Sequence, residues 1–252
     1  MGTTIAIFLI YLPSRAEIYD RLTFDIDYPS YADNIKTIIE ARGLEDPYIL
    51  EMGCGTGNLT KELASYGYEI LAFDNSMEML NMAFPKLVDK DRVNLIYADI
   101  KHFDFNSNYD VIISLLDVIN YFTDEKELKK MFENVYRGLR PGGVFIFDLN
   151  SYNKLKVLLA DNTYVYEYEN IFYTWENKME GDLIHFYLNF FVRNKDNKYE
   201  RIRESQVERY YSIEYIESLL TEVGFEKIEY IDEDSKGEVT DKTQRILFSA
   251  IK

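Results

Sequence analysis

The chain has 252 residues, 47% of them hydrophobic, which is enough for one α/β domain with a modest addition and a buried core. Its formal net charge is −16 and its pI is near 4.6, so the average surface repels a phosphate backbone, and no run of Lys and Arg offsets this. The single cysteine, Cys54, excludes an intramolecular disulfide, leaves no cysteine-based zinc site and fits a reducing cytoplasm.

The first apolar run, Ile5 to Leu12, is far shorter than the roughly 20 residues that span a bilayer. No basic residue precedes it, as a secretory signal would require. It reads as a strand or helix packed on the domain, or as an extension from a misassigned start. Residues 31–42 carry Ile35, Ile38 and Ile39 at helical spacing, with Gly43 as a stop. A short apolar strand, 47–52, enters a glycine-rich turn, and a helix follows over 60–66. Strands are expected at 69–74, 93–99 and 109–116, with a helix over 76–90 that Pro85 should kink or split. A helix over 125–139 runs into the turn Arg140-Pro-Gly-Gly143, and residues 144–148 form a fifth strand. This alternation predicts a doubly wound, mostly parallel, seven-stranded sheet with helices on both faces.

The pattern then changes. Residues 164–211 alternate and are rich in tyrosine, with turn signals at Glu180-Gly181-Asp182 and at 194–197. That predicts an antiparallel β insertion after strand 5. A helix over 212–223, with Ser212 as N-cap and Gly224 beyond its end, precedes two last strands at 227–231 and 245–251. The expected organisation is an N-terminal helical segment or lid (1–44), a ligand-binding core (45–150), a tyrosine-rich cap (151–211) and a C-terminal part completing the core sheet (212–252).

The chemistry concentrates in Glu51-Met-Gly53-Cys-Gly55-Thr-Gly57-Asn58, between a strand and a helix. Small residues there let a ligand approach the backbone, and a helix N-terminus offers N–H groups. The spacing is Gly-x-Gly-x-Gly, so the third glycine comes too early for a dinucleotide fingerprint, and no Gly-Lys-Ser/Thr follows for a Walker loop. Glu51, two residues before the first glycine, suits a cation such as the α-ammonium of a methionine moiety. Asp74, at the tip of the second strand, suits a ribose diol. Asp99, after the third, suits an adenine amino group or caps a turn. All three face one crevice at the carboxyl edge of the sheet.

These residues resemble the core of class I S-adenosylmethionine-dependent methyltransferases. Residues 51–57 match its first motif, Asp74-Asn-Ser-Met-Glu-Met79 its acidic loop, Ala98-Asp99-Ile100 its adenine-side motif, and Leu139-Arg-Pro-Gly-Gly143 the turn before its fifth strand. Tyr19-Asp20, Asp27-Tyr28, the segment Leu116-Asp-Val-Ile-Asn-Tyr121 and the Trp175 region are similar to a bacterial group related to amino-sugar and glycine N-methyltransferases. The resemblance implies S-adenosylmethionine as cofactor, with contacts from Tyr19, Glu51, Gly53, Cys54, Gly55, Asn58, Asp74, Asn75, Met79, Asp99, Ile100 and Leu115. Met79 packs either on the adenine or in the core, and Tyr19 either reaches the cofactor carboxylate or packs its own segment. Cys54 reads as a small filler rather than a nucleophile. Trp175 reads as sheet packing or pocket lining, and His102 and His185 as solvated or structural.

The implied function is methyl transfer to a small molecule, by a soluble cytoplasmic enzyme without a metal, whose cap could also form a homodimer. Nucleic acid is disfavoured as a partner: residues 116–121 lack the prolines of base-amino methylation and hold no cysteine for cytosine chemistry. A protein methyltransferase with the same core and a non-catalytic S-adenosylmethionine-binding protein stay open, while the glycine spacing argues against a nicotinamide oxidoreductase. Related amino-sugar enzymes often place a histidine base after the fourth strand, and this chain has Asn120-Tyr121 there. An amine or carboxylate acceptor held by Asn120 and Tyr121 is therefore expected, with Asp117 as the nearest ionisable group.

Overall fold

The computed structural model describes residues 16–252, except 24, 25 and 107. The run from Ile5 to Leu12 lies outside the described residues. Two helices come first, α1 (Ala16–Leu22) and α2 (Tyr28–Ala41). α2 begins three residues before the apolar periodicity does, because Asp27 caps it, accepting from the Ser30 N–H at 3.1 Å, and Pro29 stands in its first turn.

Alternating strands and helices follow: β1 (Tyr48–Met52), α3 (Asn58–Ser65), β2 (Glu69–Asp74), α4 (Met77–Leu87), β3 (Val93–Tyr97), β4 (Tyr109–Ser114), α5 (Glu125–Gly138) and β5 (Leu139–Asn150). Pro85 does not split α4. It stands in the last turn, and the helix ends two residues later, short of the expected Lys90. β5 is longer than expected at both ends. The turn Arg140–Gly143 survives as a register shift, because Tyr109 pairs with Leu139 but Val111 with Val144. A π-helical turn (Asn153–Leu159) leads into β6 (Thr163–Tyr168), β7 (Ile171–Glu180), β8 (Leu183–Arg193) and β9 (Tyr199–Arg209). The chain closes with α6 (Ile213–Val223), β10 (Glu226–Asp232) and β11 (Arg245–Ile251). Ser212 caps α6 by accepting from the Tyr215 N–H, and Gly224 terminates it in the left-handed region at φ 114°.

The large sheet runs β3-β2-β1-β4-β5-β11-β10, parallel except for β11, which is antiparallel to both neighbours. The order reverses between β1 and β4, the crevice where such sheets bind ligands. One face packs on α5 and α6 through Met52, Ile112, Phe145, Phe147 and Phe248, and the other on α2 and α3 through Ile49, Ile70, Val111 and Ile146. Burial on both faces accounts for the continuous apolar strands. The antiparallel insertion is a separate sheet, β6-β7-β8-β9. Its inner face, with Tyr173, Trp175, Phe186 and Phe190, closes a third apolar cluster against α1, the π turn and Met79.

Candidate active site

The glycine turn after β1 works by closeness. Gly53 has φ 73° and Gly57 φ 75°, both strained for any residue with a side chain. A Cβ on Gly53 would stand 2.8 Å from Val118 Cγ2, and one on Gly57 2.9 Å from Ala83 Cβ. The turn's N–H groups are spent inside the protein: those of Gly53 and Cys54 reach the Phe73 carbonyl, at 2.9 and 3.0 Å, and that of Gly55 reaches Asp74 Oδ2 at 2.9 Å. Asp74 thus ties the end of β2 to the turn, and its Oδ1 accepts from the Ser76 N–H at 2.9 Å. Burial raises its pKa, opposed by those N–H donors and that of Asn75. These three N–H donors still leave the carboxylate a lone pair to offer.

The cleft has two ends that share Gly53. The wide end, about 330 Å³, is walled by Phe73, Asp74, Asn75, Ala98, Asp99, Ile100, Val118, Tyr121 and Phe122, and is roofed by Ser205 and Gln206 of β9. Asp99 lies two residues past β3, and its Oδ1 also accepts from the Lys101 N–H at 2.9 Å, as a turn cap does. The narrow end, about 20 Å³, is lined by Tyr19, Tyr28, Glu51, Cys54, Gly55, Asn58, Leu115 and Leu116. Glu51 is 4% exposed, and its Oε2 has no hydrogen-bond partner among the described residues. Burial pushes its carboxyl up to about 8. The Cys54 thiol is pushed well above its usual range by the same cause, which removes the thiolate a nucleophile needs.

Helix α1 closes the narrow end. Asp20 accepts from Thr56 Oγ1, from Asn58 Nδ2 at 3.2 Å and from Lys86 Nζ at 2.6 Å, and Lys86 also donates to Asn58 Oδ1 at 2.7 Å. The hydroxyls of Tyr19 and Tyr28 are hydrogen-bonded to each other. Met79 is buried in the third apolar cluster, which also holds Tyr19 of the narrow end. Trp175 packs in that cluster too, 5.7 Å from both Tyr164 and Phe186 ring to ring. His102 is exposed beside Asp99, and His185 stands by Glu180 on the second sheet.

The segment after β4 is held under tension. Leu116 and Asp117 both have positive φ, 63° and 72°, which costs on the order of 1–3 kcal/mol per residue unless the surroundings impose it. Asp148 imposes it. Its two oxygens accept the N–H groups of Leu116 and Asp117 at 2.8 and 3.0 Å, and Arg245 bridges Asp148 at 2.7 Å and Asp117 at 2.5 Å. Of the three residues named as candidates here, Tyr121 reaches the cleft, and its hydroxyl donates to Gln206 Oε1 at 2.7 Å. Asn120 is fully buried, with both ends of its amide engaged: Nδ2 donates to the Arg209 carbonyl and Oδ1 accepts from the Asn150 N–H. Asp117 is buried in its ion pair with Arg245.

Sequence reasoning missed Asp148, Asn150, Lys154, Glu208 and Arg245, which the fold gathers at this edge. A signal existed for two of them. Asp148 is another acid near a strand tip, and Glu208 occupies a position that the alternation of β9 turns inward.

A family described as a methyltransferase domain matches residues 49–143. The crystal structure of an S-adenosylmethionine-dependent methyltransferase from Clostridium acetobutylicum is 37% identical, spans 94% of this chain and 96% of its own, and superposes with a TM-score of 0.85. The Bacillus subtilis protein YqeM, named as a methyltransferase, is 28% identical over 94% of this chain and 95% of its own. A glycine/sarcosine N-methyltransferase from Halorhodospira halochloris is 27% identical over 72% of this chain and 66% of its own. Likeness that extends at 37% identity through both sheets of the fold, beyond the glycine turn, carries the assignment: the protein belongs to the S-adenosylmethionine-dependent methyltransferases.

Proposed function

We propose that the chain methylates the nitrogen of a small-molecule amine, held between the narrow end of the cleft and the second sheet. The observation that carries this is the orphaned Glu51 Oε2, a buried acceptor at the narrow end that fits a cofactor's α-ammonium and so directs the rest of the cofactor toward the wide end. Asp74 would then take the ribose diol, with Gly53, Gly55 and Asn75 beside it, and Asp99 and Ile100 the adenine. Tyr19, Cys54, Asn58 and Leu115 would enclose the methionine part. The bound cofactor supplies a methyl group already activated on a sulfonium.

What remains for the protein is alignment and exclusion of water. The roof of Ser205 and Gln206 serves exclusion. Tyr121 is positioned to touch ligand, whereas Asn120 acts by tying the second sheet to β5 and Asp117 by fixing the strained turn. An acceptor that only needs to lose a proton fits this arrangement better than a hydroxyl, which usually needs a dedicated base. The name of the Halorhodospira relative points the same way. The test is release of S-adenosylhomocysteine from a panel of amines, alcohols and carboxylates. Turnover of amines is expected, and turnover of alcohols or carboxylates alone would refute the amine.

A further inference from the structure

Among the described residues, five ionisable side chains meet in the seam between the two sheets, each no more than 3% exposed: Asp117, Asp148, Glu208, Lys154 and Arg245. With all five ionised, three acids against two bases leave one negative charge in excess. Neighbouring Glu233 does not relieve it, because it pairs with Lys236 at 3.2 Å. A buried uncompensated charge is too costly to keep unless a proton or a cation joins it. Two buried oxygens in the same seam lack a donor among the described residues, Asp117 Oδ2 and Asn150 Oδ1. Buried polar atoms are seldom left so. Both are acceptors, so what is missing is a donor.

The seam adjoins the cleft. Asp117 follows Leu116, which lines the narrow end, and its charge is felt by Tyr19 there and by Tyr121 at the wide end. Asn150 Nδ2 donates to Glu208 Oε2 at 2.8 Å, which orients the carboxylate within the seam. Asp117, Lys154 and Arg245 act on Glu208 through their charges.

We propose that this seam receives the acceptor's nitrogen: the amine enters as an ammonium, donates to Asp117 Oδ2 and Asn150 Oδ1, and gives one proton to the Glu208 carboxylate. An N–H bond breaks, an O–H bond forms on Glu208, and the electron pair stays on nitrogen, leaving the neutral amine that a methyl transfer requires. Burial, with the charge of Asp117, pushes the Glu208 carboxyl up to about 8, so the carboxylate that takes the amine's proton is a minor form near neutrality that grows as pH rises through about 8. The inference rests on the amine reading above and adds to it the site and the proton acceptor.

The experiment titrates n-propylammonium chloride, and separately n-propanol, into the protein saturated with S-adenosylhomocysteine, by calorimetry. The ammonium ion should bind saturably and the alcohol should not. Glu208→Gln, which removes the excess charge, should weaken ammonium binding by about tenfold or more while affinity for S-adenosylhomocysteine holds within about threefold. Equal binding of the alcohol, no binding of the ammonium ion, or ammonium binding indifferent to Glu208→Gln would each overturn the proposal. Should the variant not fold, the contrast between ammonium and alcohol on the native chain still decides. If amines are methylated while ammonium binding ignores Glu208, the site is wrong and the amine reading stands. If binding depends on Glu208 while only alcohols turn over, the seam binds an ammonium ion that is not the acceptor, and the proposal falls together with the amine reading.

Discussion

In the seven-stranded sheet the middles of the central strands β1, β4, β5 and β11 are buried and mostly apolar, and the buried Glu51, Asp74, Asp148 and Arg245 stand toward the carboxyl edge. In the four-stranded sheet one face is wet, and the polar groups Asn177, Gln206 and Glu208 sit on the buried one, inside regular strands. The first arrangement lets turns of fixed geometry present groups to a cofactor that a whole family shares. The second places polar groups where only a neighbouring element, or a ligand between the sheets, can satisfy them. Under the function proposed above, cofactor recognition would belong to backbone turns, and acceptor recognition to side chains on a surface that can change residue by residue.

The sharpest break of that contrast is Arg245→Met. Removing the cation leaves Asp117 and Asp148 buried without it, and about 3–5 kcal/mol of stability should be lost in urea denaturation, with the Leu116-Asp117 turn released. A loss below about 1 kcal/mol would mean that the core edge tolerates uncompensated charge no worse than a surface does.

Glu51→Gln sharpens the cofactor side. The folded chain holds the Glu51 carboxyl at about 8 against an ordinary 4.5, so it binds a proton that the unfolded chain releases between those values. The resulting stability is fully present at low pH and fades as pH rises through about 8. Glutamine pays no such penalty. The variant without cofactor should match the native chain near pH 5 and exceed it near pH 9, by on the order of 1–3 kcal/mol. It should nonetheless bind S-adenosylmethionine more weakly. Parallel stability curves in the two proteins would show that Glu51 is not held protonated.

The smallest effect is expected of Tyr121→Phe, which cuts the bond to Gln206. Stability should fall by about 0.5–1.5 kcal/mol. Acceptor KM should rise more than the cofactor Kd does, since the cut falls on the roof. An equal change in both would erase the division between the sheets at this point.

How much of this could be read from residues follows the same division. β2 and β11 begin and end where the alternation puts them, and the glycine turn lies where its spacing puts it, because positive φ and hydrophobic period are local signals. α2 starts early because a cap outweighs periodicity at a helix end. Asn120 reads as a ligand group by position, yet its partners are the Asn150 N–H at the end of β5 and the Arg209 carbonyl, and only the docking of the second sheet brings the latter near. Arg245 meets Asp117 only because β11 inserts beside β5, and nothing in the neighbourhood of either residue encodes that strand order.

That insertion has a consequence for the order in which the molecule is made. β11 lies inside the sheet, yet it is the last of the sheet's strands along the chain. A growing polypeptide that has already emerged through β10 still lacks Arg245, so the turn beside the cleft has no cation to hold its two carboxylates. On the ribosome, the sheet would wait with β5 as an open edge and β10 unpaired, a state prone to chaperone capture and aggregation. Competence to bind ligand would therefore arrive late and at once, with the closing strand, rather than accumulating as each motif emerges.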